Sequence, residues 1–455
     1  MAPQIDRSRP EPSREEIARI EVGHTTVRPA TTRFLVCVFL IAIVAVPALQ
    51  WADTARTRSE DDAPSAWSHL AGLPLQIQAR LAGELGLTAG LTARIVVANR
   101  AVLEGLDAFQ DALDEEALLG RVLRPSAQRV LSGWLGAGNE QAYCGRKGWL
   151  FYRPEVEYLT GLGFLEPLES ARRAAAASEW TTPPQPDPRE AIRQFKRQLD
   201  ARGITLLVMP TPVKPMVHPE KLAWTYEDWP VPLQNPSYAA FLEDLARDGV
   251  LVFDASEALV NARRRSGQAQ YLATDTHWRP ESMEQVAELA DAFLRTHVPL
   301  PAVPDPGYRT ERREVRNFGD ILLMLDLSRD QTLYPPETVS IRRVLGPDGA
   351  PWRPSRTADV LVLGDSFSNI YSLASLGWGD SAGFVEQLSY TLQRPVDRIV
   401  QNDDGAFATR TMLRREVAGG TDRLAGKRVV IWQFAARELA IGDWKLMELP
   451  SPRQR

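Results

Sequence analysis

The sequence predicts an α/β protein: a doubly wound parallel sheet preceded by a single transmembrane helix and a helical stalk. Three observations carry the prediction. From residue 189 onward, short near-continuous apolar segments alternate with helical stretches, the pattern of parallel strands buried on both faces. Residues 34–49 form an uncharged apolar run. Residues 64–140 carry apolar side chains at helical spacing, with few strand signals.

The 455 residues, 44% of them hydrophobic, suffice for a sizeable core. The 53 basic and 58 acidic residues are spread along the chain without a basic block, which argues against nucleic acid as a partner. The apolar run FLVCVFLIAIVAVPAL reaches about 19 residues with Gln50, Trp51 and Ala52, near the length needed to cross a bilayer. Upstream stand Arg7, Arg9, Arg14, Arg19, Arg28 and Arg33; downstream, Arg56 and Arg58 are offset by Asp53, Glu60, Asp61 and Asp62. By the positive-inside rule, residues 1–33 are a cytoplasmic tail, 34–52 a signal anchor, and the remainder lies outside the cytoplasm. A cleaved signal peptide or a buried core helix are the alternatives, and the Pro47–Trp51 segment is a poor cleavage site. Cys37 lies inside the run and Cys144 far outside it, so an intramolecular disulfide is not expected.

Residues 53–140 read as a helical stalk or cap, 141–445 as the main domain and 446–455 as a C-terminal tail. The domain opens with YCGRKGWLFYR, a strand-and-turn text, and the polar, Pro-rich segment 181–190 is a loop. Helices are then expected at 189–202, 236–248, 280–296, 381–393 and 406–418. Strands are expected at 204–210, 250–255, 359–365, 396–401 and 428–434. No internal repeat is evident.

Ligands of an open parallel sheet collect beyond the carboxyl ends of its strands. There DVLVLGDSFSN ends in Gly364-Asp365-Ser366, a hydroxyl at a sharp turn, where a serine can act as nucleophile or simply cap the next helix. A nucleophilic serine needs a base and a group that orients the base. In LATDTHWRP, Asp275 and His277 stand two apart in a loop and supply both types; the alternative is a capping aspartate and a packed histidine. Of the other histidines, His24 belongs to the tail, His69 is near the membrane, His297 follows a helix end, and His218 is the competitor. GDSFS is neither the GxSxG elbow nor an SxxK serine, which argues against an ordinary α/β-hydrolase. No HExxH, CxxC pair or ligand cluster is present, so neither a metal nor a cofactor is expected.

In order along the chain, GRKGWLFY (145–152), MPTPVKP (209–215), TDTHW (274–278), GDSFS (364–368) and VVIWQFAARELA (429–440) resemble the SGNH-type acyl-ester enzymes. Within these, they resemble the alginate O-acetyltransferase family of exopolysaccharide modification. The resemblance covers roughly residues 140–445, and DTHW before GDSF reverses the order usual in SGNH esterases. It implies a flavodoxin-like SGNH fold and an exported enzyme, often tethered to the inner membrane, that moves acetyl groups onto polysaccharide hydroxyls. It also implies Ser366 as the acetyl-carrying nucleophile, His277 as general acid/base and Asp275 as its orienting group, with a multi-spanning membrane O-acyltransferase passing the donor across. The asparagine that completes the SGNH oxyanion hole has its candidates in Asn402 and Gly405, in what otherwise reads as an ordinary N-D-D-G turn, with Gly364 allowing close backbone approach. Lys214 and Arg279 are candidates for an acidic sugar and Trp278 for stacking on a pyranose, against surface or packing roles for all three. No carbohydrate-binding module is recognisable beyond Gln433.

Two other functions fit the same residues. Water in place of a sugar hydroxyl makes the protein an esterase or deacetylase, and helix-capping roles for the strand-end residues make it a scaffold of a secretion complex. Geometry discriminates: a Ser366–His277 separation beyond roughly 6 Å weakens both enzyme readings.

Overall fold

The computed structural model describes residues 28–57, 66–84, 90–175, 183–328, 330–403 and 405–450. Most of the expected cytoplasmic tail, with His24 and four of its arginines, lies outside the described residues, as do Glu60, Asp61 and Asp62. The chain divides into two compact units, Met1–Leu123 and Arg124–Arg455.

The first unit contains the helices Pro29–Thr57, Ala66–Glu84 and Leu91–Glu116. Within the first of these, Pro29–Asp53 spans 25 residues, and its most apolar 18-residue stretch has a mean hydropathy of 2.5. At 1.5 Å per residue it is about 38 Å long, enough to cross a bilayer. Large apolar side chains along it, among them Phe34, Phe39, Ile41 and Val44, are exposed. The other two helices pack on each other. Gly105 gives Leu73 room, since a Cβ there would lie 2.3 Å from a Leu73 methyl. The Trp67 and Phe109 rings meet at 5.5 Å, and Arg80 pairs with Glu104.

In the second unit β1 (Ala142–Cys144) and β2 (Leu150–Tyr152) form a hairpin whose turn uses Lys147 and Gly148 at φ of 56° and 77°. Then follow β3 (Thr205–Thr211), β4 (Leu251–Val252), the antiparallel ribbon β5 (Arg309–Asn317) and β6 (Glu337–Leu345), β7 (Val360–Gly364), β8 (Asp397–Val400) and β9 (Val429–Ala435). Five of them make one parallel sheet in the order β4-β3-β9-β7-β8. Every residue of β7 and β9 is buried, as a sheet covered on both faces demands. The expected strand at 250–255 shrinks to the two residues of β4 at the sheet edge, where only β3 is available as a partner.

The helix Pro188–Asp200 shows how local sequence sets the layers. Asp187 caps it by accepting the Arg189 N–H at 2.9 Å, and Pro188 sits in the first turn, where no donor is needed. Ala191, Ile192, Phe195 and Leu199 recur on the buried face. Phe195 meets the ring of Trp432 on β9 edge-on at 5.5 Å. Truncating such a buried ring to alanine costs roughly 3–5 kcal/mol. Residues 446–450 do not hang free as a tail: the Met447 N–H donates to Gln194 at 2.7 Å and Gln198 donates to the Met447 carbonyl at 2.9 Å, which fastens them to the same helix.

Candidate active site

The site forms where β7 ends. A Cβ at Gly364 would lie 2.5 Å from the Ser368 hydroxyl, so glycine here leaves room for the Ser368 side chain. Asp365, not Ser366, caps the short helix Ser366–Asn369, accepting the Phe367 N–H at 2.9 Å. The Asp365 carboxylate also accepts from Gln433 at 2.8 Å and from the Ala435 N–H at 2.7 Å, which pins the end of β7 to the end of β9. This leaves the Ser366 hydroxyl free for another partner.

That partner is His277. Its Nε2 lies 2.9 Å from Ser366 Oγ, and its Nδ1 lies 2.7 Å from Asp275 Oδ1. The loop bearing both closes on itself through the Tyr271–Trp278 bridge and through the Leu272 N–H to the His277 carbonyl at 3.1 Å. Asp275 Oδ1 also accepts the His277 N–H at 3.1 Å; Oδ2 accepts the Asp320 N–H at 3.1 Å and Trp378 Nε1–H at 2.9 Å. Burial works against this carboxylate, but the hydrogen bond and charge of His277 and the other donors outweigh it and hold Asp275 down to about 2. For His277 burial works downward; the hydrogen bond and charge of Asp275, with Asp320 behind, carry it above the usual histidine value.

Several of the closest residues carry no obvious signal in the sequence. Asp320 accepts the Thr276 N–H at 2.7 Å and the Thr276 hydroxyl at 2.6 Å, and that hydroxyl lies 3.0 Å from His277 Nδ1. Gly319 presses on the same loop: a Cβ would stand 2.1 Å from the Thr274 carbonyl oxygen. Glu337, at the start of β6, accepts the Ala273 and Thr274 N–H groups, each at 3.0 Å. Gly-Asp before an apolar stretch, as in Gly319-Asp320, is a helix-start signal, but nothing local says what such a helix packs against. The ligand atoms of Asp275, His277 and Asp320 lie within 4.8 Å of one another and are all engaged in the hydrogen bonds just described.

The remaining candidates divide. Asn402 stands beside the site: its Oδ1 accepts from Asn369 at 3.1 Å, its Nδ2 has no protein partner among the described residues, and Gln401 N–H bonds the Gly364 carbonyl at 3.0 Å. Gly405 has φ of 68°, and a Cβ there would meet a Glu438 oxygen at 2.6 Å, so it serves backbone geometry; Asp404 of that turn lies outside the described residues. Lys214 is wholly buried and donates to the carbonyls of Leu150 at 2.7 Å and Ala273 at 3.2 Å, so it ties β2 to the His277 loop and does not reach a sugar. Burial lowers it to about 8. Trp278 is equally buried, edge-on to Phe367 at 5.4 Å, and offers no face to a pyranose. Arg279 bonds through its N–H to Gln270 and lines a polar cleft of about 440 Å³ to which neither Ser366 nor His277 contributes. His218 is no base for Ser366: it is buried, 2.9 Å from Glu220 through Nδ1 and accepting the Gln270 N–H through Nε2.

One further group faces this region. Arg437, just beyond β9, donates to Glu155 at 2.9 Å and lies over the rings of Tyr152 at 5.3 Å and Phe367 at 5.9 Å. Glu155 is fully buried, and burial raises it to about 7 against the pull of Arg437 and Lys214.

A doubly wound parallel sheet with a serine at the end of an inner strand, linked through an imidazole to a buried carboxylate, defines an SGNH-like domain. Residues 142–436 match the family described as "SGNH hydrolase-like domain, acetyltransferase AlgX", and the chain belongs to that family. Among curated relatives, the chain is 28% identical over 261 residues to the "Probable alginate O-acetylase AlgJ" of Pseudomonas aeruginosa, covering 55% of this chain and 63% of that protein. A protein of the same name from Azotobacter vinelandii is 25% identical over 349 residues, 73% of this chain and 78% of the relative. A solved structure, the "O-Acetyltransferase Domain of Pseudomonas putida AlgJ", superposes at a TM-score of 0.49 with 21% identity, covering 66% of this chain and 93% of that one.

Proposed function

We propose that this protein is an O-acetyltransferase that carries an acetyl group on Ser366 and passes it to hydroxyls of an exported, alginate-like polysaccharide. The observation that carries the proposal is the unbroken hydrogen-bonded chain from Ser366 Oγ through His277 to Asp275. Such a chain lets the imidazole take the serine proton while Asp275 stabilises the imidazolium.

In the first half-reaction, Ser366 Oγ attacks the acyl carbonyl of a donor ester and its proton moves to His277 Nε2. The tetrahedral adduct then collapses, the donor's alkoxy group leaves with that proton, and acetyl-Ser366 remains. In the second half, His277 takes the proton of a sugar hydroxyl and the sugar oxygen attacks the acetyl-serine carbonyl; the tetrahedral adduct then collapses with cleavage of the Ser366 Oγ–acyl bond, and Ser366 Oγ takes the proton from His277. The oxyanion donors are the Ser366 N–H, at the first position of its helix and unbonded among the described residues, and Asn402 Nδ2.

The helix Pro29–Thr57 supports an inner-membrane, single-pass anchor with the domain outside the cytoplasm. With the domain on that side, the acetyl group has to come across the membrane, and the family resemblance points to a multi-spanning O-acyltransferase as its supplier.

Intact-mass measurement of the protein after incubation with an activated acetyl ester tests this reading. A one-acetyl adduct is expected on the native protein, absent from Ser366→Ala, with the label appearing on added oligosaccharide. Adduct turnover to free acetate alone, whatever the sugar, would make the protein an esterase, and the absence of any Ser366-dependent chemistry would make it a scaffold.

A further inference from the structure

We infer that Arg437 selects the acceptor: its guanidinium takes the carboxylate of an acidic sugar residue while a hydroxyl of the polymer reaches acetyl-Ser366. The inference rests on the transferase reading above and adds the group that recognises the substrate.

Arg437 follows β9, which lies beside β7 in the sheet, so it stands at the same carboxyl edge as Ser366. It lies 5.9 Å from the ring of Phe367, the residue after Ser366, and that ring is 4.8 Å from the imidazole of His277. A guanidinium against one side of the ring that His277 also touches is set back from the reacting carbonyl. It suits a substituent of the acceptor better than the acyl oxygen itself.

Its donors are partly spoken for. Only Nη1 bonds a side chain, that of Glu155, which holds the fork in one orientation. The side chain keeps 15% exposure, and none of its nitrogens is among the buried atoms that lack a partner, so the remaining donors reach solvent. A planar fork fixed on one side and open on the other is matched to a carboxylate, which it can grip with two parallel bonds.

The charges nearby make that grip necessary. Asp275, Asp320, Asp365 and Glu438 all lie around the site, and their field opposes an anionic acceptor. Lys214 is sealed in the interior on two carbonyls and cannot offset them at the mouth. Arg437 is the cation with open donors beside Phe367 among the described residues.

The test compares a uronic-acid oligosaccharide with the same oligosaccharide after reduction of its carboxyls, using the full chain, Arg437→Gln and Arg437→Lys. The ratio of acetyl-transfer kcat/KM for the acidic over the reduced acceptor is expected to exceed ten in the native protein. It should fall at least tenfold in Arg437→Gln and partway in Arg437→Lys, which keeps the charge and loses the fork. A native protein that forms acetyl-Ser366 yet shows no acidic preference overturns the inference, as does an Arg437→Gln or Arg437→Lys protein that keeps the whole of it. Should the native protein form no adduct, the transferase reading fails separately. Titration of the oligouronate into Ser366→Ala, with and without Arg437→Gln, then decides the inference by binding alone: equal affinities refute it.

Discussion

Gly319→Ala is the substitution whose consequence the structure fixes most tightly. Gly319 has φ of −76° and ψ of 158°, a conformation open to any residue, so alanine introduces no backbone strain. The cost is steric. The new Cβ would stand 2.1 Å from the Thr274 oxygen, 2.2 Å from its carbon and 2.5 Å from the Asp275 nitrogen, all backbone atoms, where real contacts do not fall below 3.0 Å. The loop carrying Asp275 and His277 and the segment at Gly319 must therefore separate by about 1 Å, and the 2.9 Å His277–Ser366 contact is expected to lengthen as the loop shifts. A misplacement of about 1 Å at reacting groups costs on the order of 10²-fold in rate, or about 2.7 kcal/mol of barrier. The rate of acetyl-Ser366 formation from an activated ester, read by intact mass, measures it. Gly83→Ala serves as the control, since nothing lies within 4 Å of its Cβ. A Gly319→Ala protein that acylates within threefold of the native rate would show that the loop does not depend on this contact, and the positional argument would fall.

Further outcomes follow from the buried charges. His277 must be neutral to accept the serine proton, and it is raised by Asp275 and Asp320 with Arg437 opposing, so acylation should rise with pH through an apparent value above the ordinary histidine range. Asp320→Asn removes one of those negative charges; the acid limb of the pH–rate profile should move to lower pH, and an unmoved limb would deny Asp320 any hold on the imidazole. A raised folded value contributes stability below the unfolded histidine value and loses it as pH rises through the folded one, so the variant should also lose stability in mild acid. Elsewhere, Asp397 is fully buried and accepts from Arg423 at 2.6 and 2.7 Å, with Lys427 at 3.1 Å. Asp397→Ala leaves two cations without their common partner and should cost roughly 3–5 kcal/mol, a fall in Tm on the order of 10 °C by calorimetry.

How much of this was legible beforehand differs from element to element. The alternation of DVLVLGD, VDRIVQ and RVVIWQF with helical text is a local signal; β7 and β8 lie within their segments, and β9 runs one residue past its own, to Ala435. Of the ribbon β5–β6, β5 reads RTERREVRN and is exposed along most of its length, so no apolar alternation marks the strand that β6 needs as its partner. Yet that ribbon supplies Glu337 and leads into Gly319 and Asp320. Lys214 and Trp278 show the opposite failure: residue type suggested a ligand contact, and the packing turned both inward.

By itself the sequence determined the parallel-sheet class, an N-terminal helix apolar enough to span a bilayer, and the residues able to form a serine–imidazole–carboxylate chain. Those follow from periodicity and from the scarcity of histidine, both properties of short stretches of chain. Only the tertiary structure decided which groups surround that chain. Asp320 is 45 residues from Asp275 and Trp378 is 103 away. Arg437 meets Glu155 across 282. Contacts across such separations depend on how layers pack, and no local pattern of side chains encodes them.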